Sequence, residues 1–249
     1  MRGITDTVKH LLIINVLMFI GTMSIGGGQL FYDLFALYFP KNQLFQPWQI
    51  ITHMFMHGNF THLLFNMFAL WMFGTAVEQV FGKRKFIFFY ISAGLGAALC
   101  MLAYYYFTYT NGLNTLVESG IDKTQILDTL SQGKYNTQWQ GVLGDKLQSF
   151  LSVFNGSMVG ASGAIMGILV AFGMLFPDSK LMLIFFPVPI KAKYFIPGII
   201  ALDLFSAITG VSIFSPSNTA YVAHIGGALT GFLMMYFWKK DQFDKYRWN

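Results

Sequence analysis

The stretch Val159–Phe176 reads VGASGAIMGILVAFGMLF and contains no charged residue. A helix needs about 20 mostly apolar residues to cross the hydrocarbon core of a bilayer, so this stretch predicts a membrane-spanning helix. A polar residue, Ser162, lies near its start between two glycines. The segments on either side are similarly apolar, which indicates a membrane protein rather than one buried helix of a soluble domain.

The composition of the whole chain agrees with this interpretation. Of its 249 residues, 55% are hydrophobic and only 11% are charged, against roughly 25% charged in soluble domains. This excludes a disordered chain and an ordinary soluble enzyme. The net charge of +5 is typical of cytoplasmic loops of membrane proteins, and we do not interpret it as nucleic-acid binding. The single cysteine, Cys100, excludes an intrachain disulfide.

Six segments are long and apolar enough to be candidate spans. They are Leu11–Gly28, His62–Val80, Phe86–Thr108, Val159–Phe176, Tyr194–Gly210 and Tyr221–Trp238. The first could instead be a signal peptide, because Arg2 and Lys9 precede its apolar run, but the five later segments need a membrane in either case. We therefore predict an all-α polytopic membrane protein, a bundle of six transmembrane helices.

Basic residues are concentrated on one side of this six-span arrangement. Twelve of the 16 Lys and Arg residues fall at the termini or in the second–third and fourth–fifth turns. The positive-inside rule then puts both termini in the cytoplasm. We expect a multi-pass protein of a bacterial inner (plasma) membrane.

Two long connections lie on the outer side. Phe31–Thr61 is aromatic and apolar, and we expect it to lie partly in the membrane interface. Tyr109–Met158 is polar and cannot span, with weak helical patterns over Asp122–Leu130 and Gln140–Phe154. We therefore treat residues 1–249 as a single membrane domain, with 109–158 as a large external insertion between helices 3 and 4.

Polar side chains cluster at the start of the second span. His62 and Asn66 are four residues apart and share one helical face, with His57 just before them. The simplest interpretation is hydrogen bonding to neighbouring helices. A metal site is a second one, because His53 is also near, but no H-E-x-x-H motif and no acidic residue lies nearby in sequence. We expect no metal.

Glycines line one face of the fourth span and one face of the sixth. They are Gly163, Gly167, Gly227 and Gly231. Small residues let two membrane helices approach closely, and Ser162 lies beside the first face while His224 shares the second. Each of the two alone could be an ordinary packing or structural residue. If the faces pack together, the Ser162 hydroxyl reaches His224, which provides a nucleophile and a base for acyl transfer.

At these residues the chain resembles the rhomboid family of intramembrane serine proteases. The matching motifs are H-x4-H-x3-N at His57, His62 and Asn66, G-x-S-G at Gly160–Gly163 and A-H-x-x-G at Ala223–Gly227. They occur in the family's order, on its second, fourth and sixth spans. The resemblance covers nearly all of the chain outside the insertion.

The resemblance implies that Ser162 is the nucleophile and His224 the general base, with no carboxylate completing a triad. Spans four and six indeed contain no acidic residue. Asp203 lies near the middle of the fifth span, deeper than either reacting group in this topology. We interpret Asp203 as a structural polar contact, with a contact to His224 as the less favoured alternative.

The family also implies an oxyanion hole formed by His62, Asn66 and the Ser162 backbone N–H, with His57 and Gly160 in support. Donors of this kind are typically worth about 3 to 4 kcal/mol each in the transition state. The resemblance implies no cofactor.

The departures from the family pattern include the following two residues. The first outer loop usually carries Trp-Arg, whereas this chain has Trp48-Gln49, and we expect this change to loosen the anchoring of that loop. Met166 stands where an aromatic residue often packs on the catalytic histidine. Neither departure removes a reacting group, so we expect activity.

The expected function is that of an intramembrane serine endopeptidase which cleaves single-span membrane proteins near the outer membrane face. The partners are then transmembrane substrates and the lipid bilayer, with no nucleic acid, and no oligomeric state is implied. One alternative is a catalytically inactive rhomboid-like protein that binds transmembrane helices. Another is a small-solute channel, which would need a polar stripe through the inner leaflet that spans four and six do not carry.

Overall fold

Helices make up most of the fold. The computed structural model describes residues 3–183, 186–211 and 220–245. Its helices there are α1 (Asp6–Ser24), α2 (Gln29–Phe35), α3 (Gln49–Thr52), α4 (Phe60–Ala69), α5 (Thr75–Phe81), α6 (Lys83–Glu118), α7 (Lys123–Ser131), α8 (Trp139–Leu143), α9 (Lys146–Asn155), α10 (Ser162–Leu175), α11 (Ala192–Thr209) and α12 (Tyr221–Lys245). Its strands are β1 (Leu37–Tyr38), β2 (Ser157–Met158), β3 (Lys180–Leu183) and β4 (Phe186–Lys191). The predicted all-α membrane fold is confirmed.

The predicted spans correspond to helices whose ends are shifted by a few residues. Among the residues that the structure describes, α1, the α4–α5 rod, α6 and α11 are long and apolar enough to cross a bilayer. The rod runs over Phe60–Phe81, because a π-helical turn at Leu70–Gly74 joins its two parts. α10 is apolar but has only 14 residues, and α12 has 25. The protein is a multi-pass membrane protein, and the count of six spans stays a prediction.

α10 lies at the centre of the bundle. Every residue from Gly163 to Phe172 is buried, as expected for a helix that is apolar on all sides. α6, α11, α12 and the α4–α5 rod pack around it. A 14-residue helix is only about 21 Å long, shorter than the roughly 30 Å of hydrocarbon. At least one end of α10 therefore lies below a membrane surface.

α6 continues well past the predicted end of the third span at Thr108. Its 36 residues reach Glu118, and its C-terminal part packs against α7, α8 and α9, which lie in the predicted insertion. The predicted helical patterns within the insertion correspond to α7 and to the pair α8 and α9, which are separated at Gly144 with a φ of 54°. We call the buried cluster at this junction the cap core. Its largest side chains include Tyr105, Tyr109, Trp139, Phe150 and Phe154.

The first outer loop and the insertion hold each other just before α10. β1 pairs with β2 in an antiparallel arrangement, with Leu37 opposite Met158. The Asn42 Nδ2 donates a hydrogen bond to the Phe154 carbonyl oxygen at 2.7 Å, and the Phe39 ring packs into the cap core. The chain that leads into α10 is therefore fixed by both segments.

Gln49 anchors the first outer loop. Its side chain is fully buried; the Nε2 donates to the carbonyl oxygens of Asp33 and Leu44 at 2.9 Å each, and the Oε1 accepts a backbone N–H at 3.0 Å. The adjacent Trp48 Nε1 donates to the Leu34 carbonyl oxygen at 2.7 Å. The prediction that Gln49 loosens this loop was wrong, because a neutral amide both donates and accepts and so pairs with buried backbone groups without burying a charge.

The connection between α10 and α11 is an antiparallel hairpin of β3 and β4. Its register places Lys180 opposite Lys191 and Leu181 opposite Ile190. At its base the exposed Asp178 pairs with Lys191 at 3.1 Å and with Lys193 at 2.9 Å. The hairpin returns the chain to the start of α11, beside α10.

Candidate active site

Ser162 and His224 meet where α10 and α12 begin. Ser162 is the first residue of α10, and His224 lies in the first turn of α12. The His224 Nε2 and the Ser162 Oγ are 2.8 Å apart, a hydrogen-bond distance. The His224 side chain is 13% exposed, so the pair is largely shielded from solvent. The arrangement is suited to moving the serine proton to the imidazole.

The predicted glycine faces bring these two helices into backbone contact. A Cβ added at Gly227 would collide with the Gly163 carbonyl oxygen. A Cβ added at Gly231 would lie 2.7 Å from the Gly167 Cα. Any larger residue at these positions would force the helices apart. The short reach of the Ser162 hydroxyl therefore depends on the glycines.

Asp203 contacts His224, contrary to its interpretation from the sequence as a structural polar contact remote from the reacting groups. The Asp203 Oδ2 and the His224 Nδ1 are 2.8 Å apart. The sequence interpretation placed Asp203 too deep because it compared positions along separate spans. The relative depths of Asp203 and His224 depend on how the helices tilt and pack, which composition does not set. The His224 imidazole contacts Ser162 of α10 through its Nε2 and Asp203 of α11 through its Nδ1. The only sequence signal was the acidic residue within an apolar span.

Gly160 leaves a narrow space between His62 and Ser162, which is too tight for a side-chain carbon. Its φ of +131° is in the region that favours glycine. An atom at the position of a Gly160 Cβ would lie 2.9 Å from the His62 Nε2 and 3.5 Å from the Ser162 Oγ. A small substrate atom at this place would therefore be close to a hydrogen-bond donor and to the serine oxygen, as an oxyanion hole requires.

Asn66 lies on α4 one turn after His62. Its side chain is buried, and within the described part of the chain its Nδ2 has no hydrogen-bond partner. Asn59 precedes α4 and accepts the His62 backbone N–H at 2.8 Å, which caps the helix. The amide of Asn66 is thus a donor that the protein itself leaves unused.

Two more histidines, His53 and His57, support Gly160 and His62. The His53 Nδ1 lies 2.8 Å from the Gln49 carbonyl oxygen, and the His53 carbonyl oxygen accepts the Gly160 N–H at 2.9 Å. Burial lowers the pKa of His53 to about 4, so the ring is neutral near pH 7 and its Nδ1 donates. The fully buried His57 ring packs edge-on against His62, with ring centroids 5.0 Å apart. Both therefore hold Gly160 and His62 in place.

Known proteins match the chain over most of its length. A family model described as the Rhomboid domain matches residues 44–120 and 132–240. The chain is 29% identical over 190 residues to the rhomboid protease AarA of Providencia stuartii, covering 75% of this chain and 54% of that protein. It is 28% identical over 184 residues to the mitochondrial rhomboid protein 1 of Saccharomyces cerevisiae, covering 74% of this chain and 40% of that protein.

A shorter match links the chain to the rhomboid protease GluP of Bacillus subtilis. The two are 31% identical over 94 residues, which are 36% of this chain and 18% of that protein. The chain spans about half or less of the length of these three relatives. Since the family model matches well over half of the chain, this protein belongs to the rhomboid family.

Proposed function

We propose that this protein is an intramembrane serine endopeptidase in which Ser162 is the nucleophile and His224 the general base. The observation that carries the proposal is the 2.8 Å contact between the Ser162 Oγ and the His224 Nε2. A serine hydroxyl is a weak nucleophile until a base takes its proton, and this contact provides the base. Two of the related proteins are named rhomboid proteases.

The reaction begins when the Ser162 Oγ attacks the carbonyl carbon of the scissile peptide bond. The hydroxyl proton moves to the His224 Nε2, and the carbonyl oxygen becomes an oxyanion. The same proton then passes to the leaving amine nitrogen as the C–N bond breaks. Water repeats the sequence on the resulting acyl-enzyme and releases the second product, with Ser162 and His224 restored.

The oxyanion would occupy the space beside Gly160. The His62 Nε2 is within hydrogen-bond distance of that space, and the Asn66 Nδ2 provides an unused buried donor. The Ser162 backbone N–H belongs to the first turn of α10, where helix N–H groups have no partner within the helix. Preorganised donors of this kind are the largest single contribution in many hydrolases.

The proposed substrates are single-span membrane proteins. Ser162 begins a central helix that is too short to span the hydrocarbon, so a peptide bond has to reach it from within the membrane thickness. With both termini in the cytoplasm, as the distribution of Lys and Arg favours, Ser162 lies toward the outer face. We propose a bacterial inner membrane as its location.

A non-catalytic rhomboid-like protein that binds transmembrane helices is the alternative. Such a protein has no need for a hydroxyl in contact with an imidazole. The Ser162–His224 contact therefore favours the protease. A binding protein would also give no covalent adduct with a serine-directed reagent.

The test is fluorophosphonate labelling together with cleavage of a single-span reporter in liposomes. Ser162→Ala removes one oxygen from a close-packed helix, so it should abolish both signals while the thermal denaturation midpoint stays unchanged. His224→Ala should abolish them because the serine is no longer activated. Ser157→Ala, in β2, is the matched control and should behave as wild type. Cleavage at the wild-type rate by folded Ser162→Ala would overturn the proposed function.

A further inference from the structure

The contact between Asp203 and His224 is a polar feature of the site that the two-residue chemistry leaves unused. We infer that Asp203 is a positioning residue that orients and stabilises the His224 imidazole during catalysis, which rests on the proposed function of Ser162. The Asp203 side chain is 9% exposed, and an isolated buried carboxylate is strongly unfavourable. The His224 Nδ1 lies 2.8 Å from the Asp203 Oδ2 and provides that partner.

The contact selects the tautomer that the reaction needs. An ionised carboxylate only accepts hydrogen bonds, so the His224 Nδ1 carries a hydrogen and donates it to Asp203. The Nε2 then presents its lone pair to the Ser162 hydroxyl, 2.8 Å away. In the other tautomer the Nε2 would already hold a hydrogen and could not accept one from Ser162.

The carboxylate also stabilises the charge that forms during the reaction. When the Ser162 proton moves to the Nε2, the O–H electron pair forms the new bond to the substrate carbon and the ring becomes an imidazolium. Asp203 remains ionised beside this cation and takes no proton. Because both side chains are largely buried, water and salt screen their attraction weakly.

No other acidic side chain contacts His224 within the described residues. Ser162 faces it from α10 and Asp203 from α11. His62 on α4 is close enough to interact electrostatically with it, and Cys100 on α6 packs against the nearby Gly226. Among these groups, only Asp203 can place a negative charge beside the imidazolium that forms during the reaction.

A purely structural bond between α11 and α12 is the competing explanation. It would make Asp203 important for stability and leave the chemistry of the folded protein unchanged. The two explanations predict different turnover, and different rates of serine labelling, for folded Asp203 variants.

The experiment compares Asp203→Asn and Asp203→Ala with wild type, using reporter cleavage, fluorophosphonate labelling and thermal denaturation. Asp203→Asn keeps the size of the side chain and removes its charge. We expect kcat to fall by roughly 10²- to 10⁴-fold, with KM changed less than about threefold, since substrate binding is not affected. Fluorophosphonate labelling of Ser162 should slow together with kcat, because the imidazole is then less well oriented toward the hydroxyl.

The control is Ser206→Ala, another buried position on α11, which should keep wild-type turnover. If Asp203→Asn folds poorly, Asp203→Ala provides the second variant. Turnover and labelling of both variants are normalised to the amount of folded protein. Folded Asp203 variants with turnover and labelling rates within about threefold of wild type would overturn the inference. That result is distinct from failure of the proposed function, which would show as cleavage by Ser162→Ala.

Discussion

Gly160 and its neighbours show how single residues define the reacting space. The residue has a φ of +131° and no side chain, so the backbone can turn into α10 while a gap remains beside the Ser162 hydroxyl. The His53 carbonyl oxygen accepts a hydrogen bond from the Gly160 N–H at 2.9 Å. Any substituted side chain would fill the gap and strain the backbone. The position thus combines a conformational and a spatial requirement that only glycine meets.

The donors around this gap should differ in importance. Asn66→Ala removes one of three proposed donors, so we expect kcat to fall by about 10²- to 10³-fold without abolishing turnover. His62→Ala should cost more, because its ring also packs against His57. Reporter cleavage by both variants is the measurement, with the exposed Asn114→Ala on α6 as control. Unchanged turnover in both variants would favour a role in bundle packing instead.

Individual residues were predictable from the sequence only where spacing within one helix decides the geometry. His62 and Asn66 share a face because they are four apart, and the serine and histidine motifs lie beside glycine faces. The Asp203 contact could not be predicted, because it depends on how high α11 lies against α12. Gln49 was misjudged because its four partners are backbone groups, which a residue pattern does not reveal.

At the level of elements, hydropathy predicted the long helices and missed the strands. β1 and β2 have two residues each, too few to give an alternating pattern, and they form only because the first outer loop meets the insertion. The predicted third helix ended too early. Beyond Thr108, α6 packs against the cap core, and its sequence there is less apolar than a lipid-facing span. The crossing of α10 and α12 was predictable, because glycine spacing is a local property.

The crossing can be tested by adding one methyl group. Gly227→Ala places a Cβ against the Gly163 carbonyl, so the helices have to separate and the Ser162–His224 contact lengthens. We expect loss of cleavage and a destabilisation of about 1–3 kcal/mol, as for overpacked cores. Gly198→Ala on α11 is the control, since a Cβ there meets nothing within 4 Å, and it should retain activity. Wild-type cleavage by Gly227→Ala would refute the dependence on close approach.

At the level of the whole molecule, buried side chains form separate clusters. One surrounds α10 and includes Phe73, Phe86 and Met166, and the cap core lies at the C-terminal end of α6. The first outer loop connects them, because it places Phe39 in the cap core while β1 pairs with the strand that leads to Ser162. α9 runs directly into that strand, whereas α7 and α8 lie farther back along the chain. The parts of the insertion should therefore differ in their effect on the site.

Trp139 and Phe150 provide the test of this difference. Both are almost fully buried in the cap core, and truncating either to alanine should cost about 3–5 kcal/mol of local stability. We expect Trp139→Ala, in α8, to open the insertion to proteolysis while Ser162 labelling stays within about threefold of wild type. Phe150→Ala, in α9, should also slow labelling, because it loosens the segment that carries β2. The control is Tyr135→Ala, an aromatic residue of the insertion that is 51% exposed and should change neither readout. Equal loss of labelling in Trp139→Ala and Phe150→Ala would show that the whole insertion, rather than α9 alone, shapes the active site.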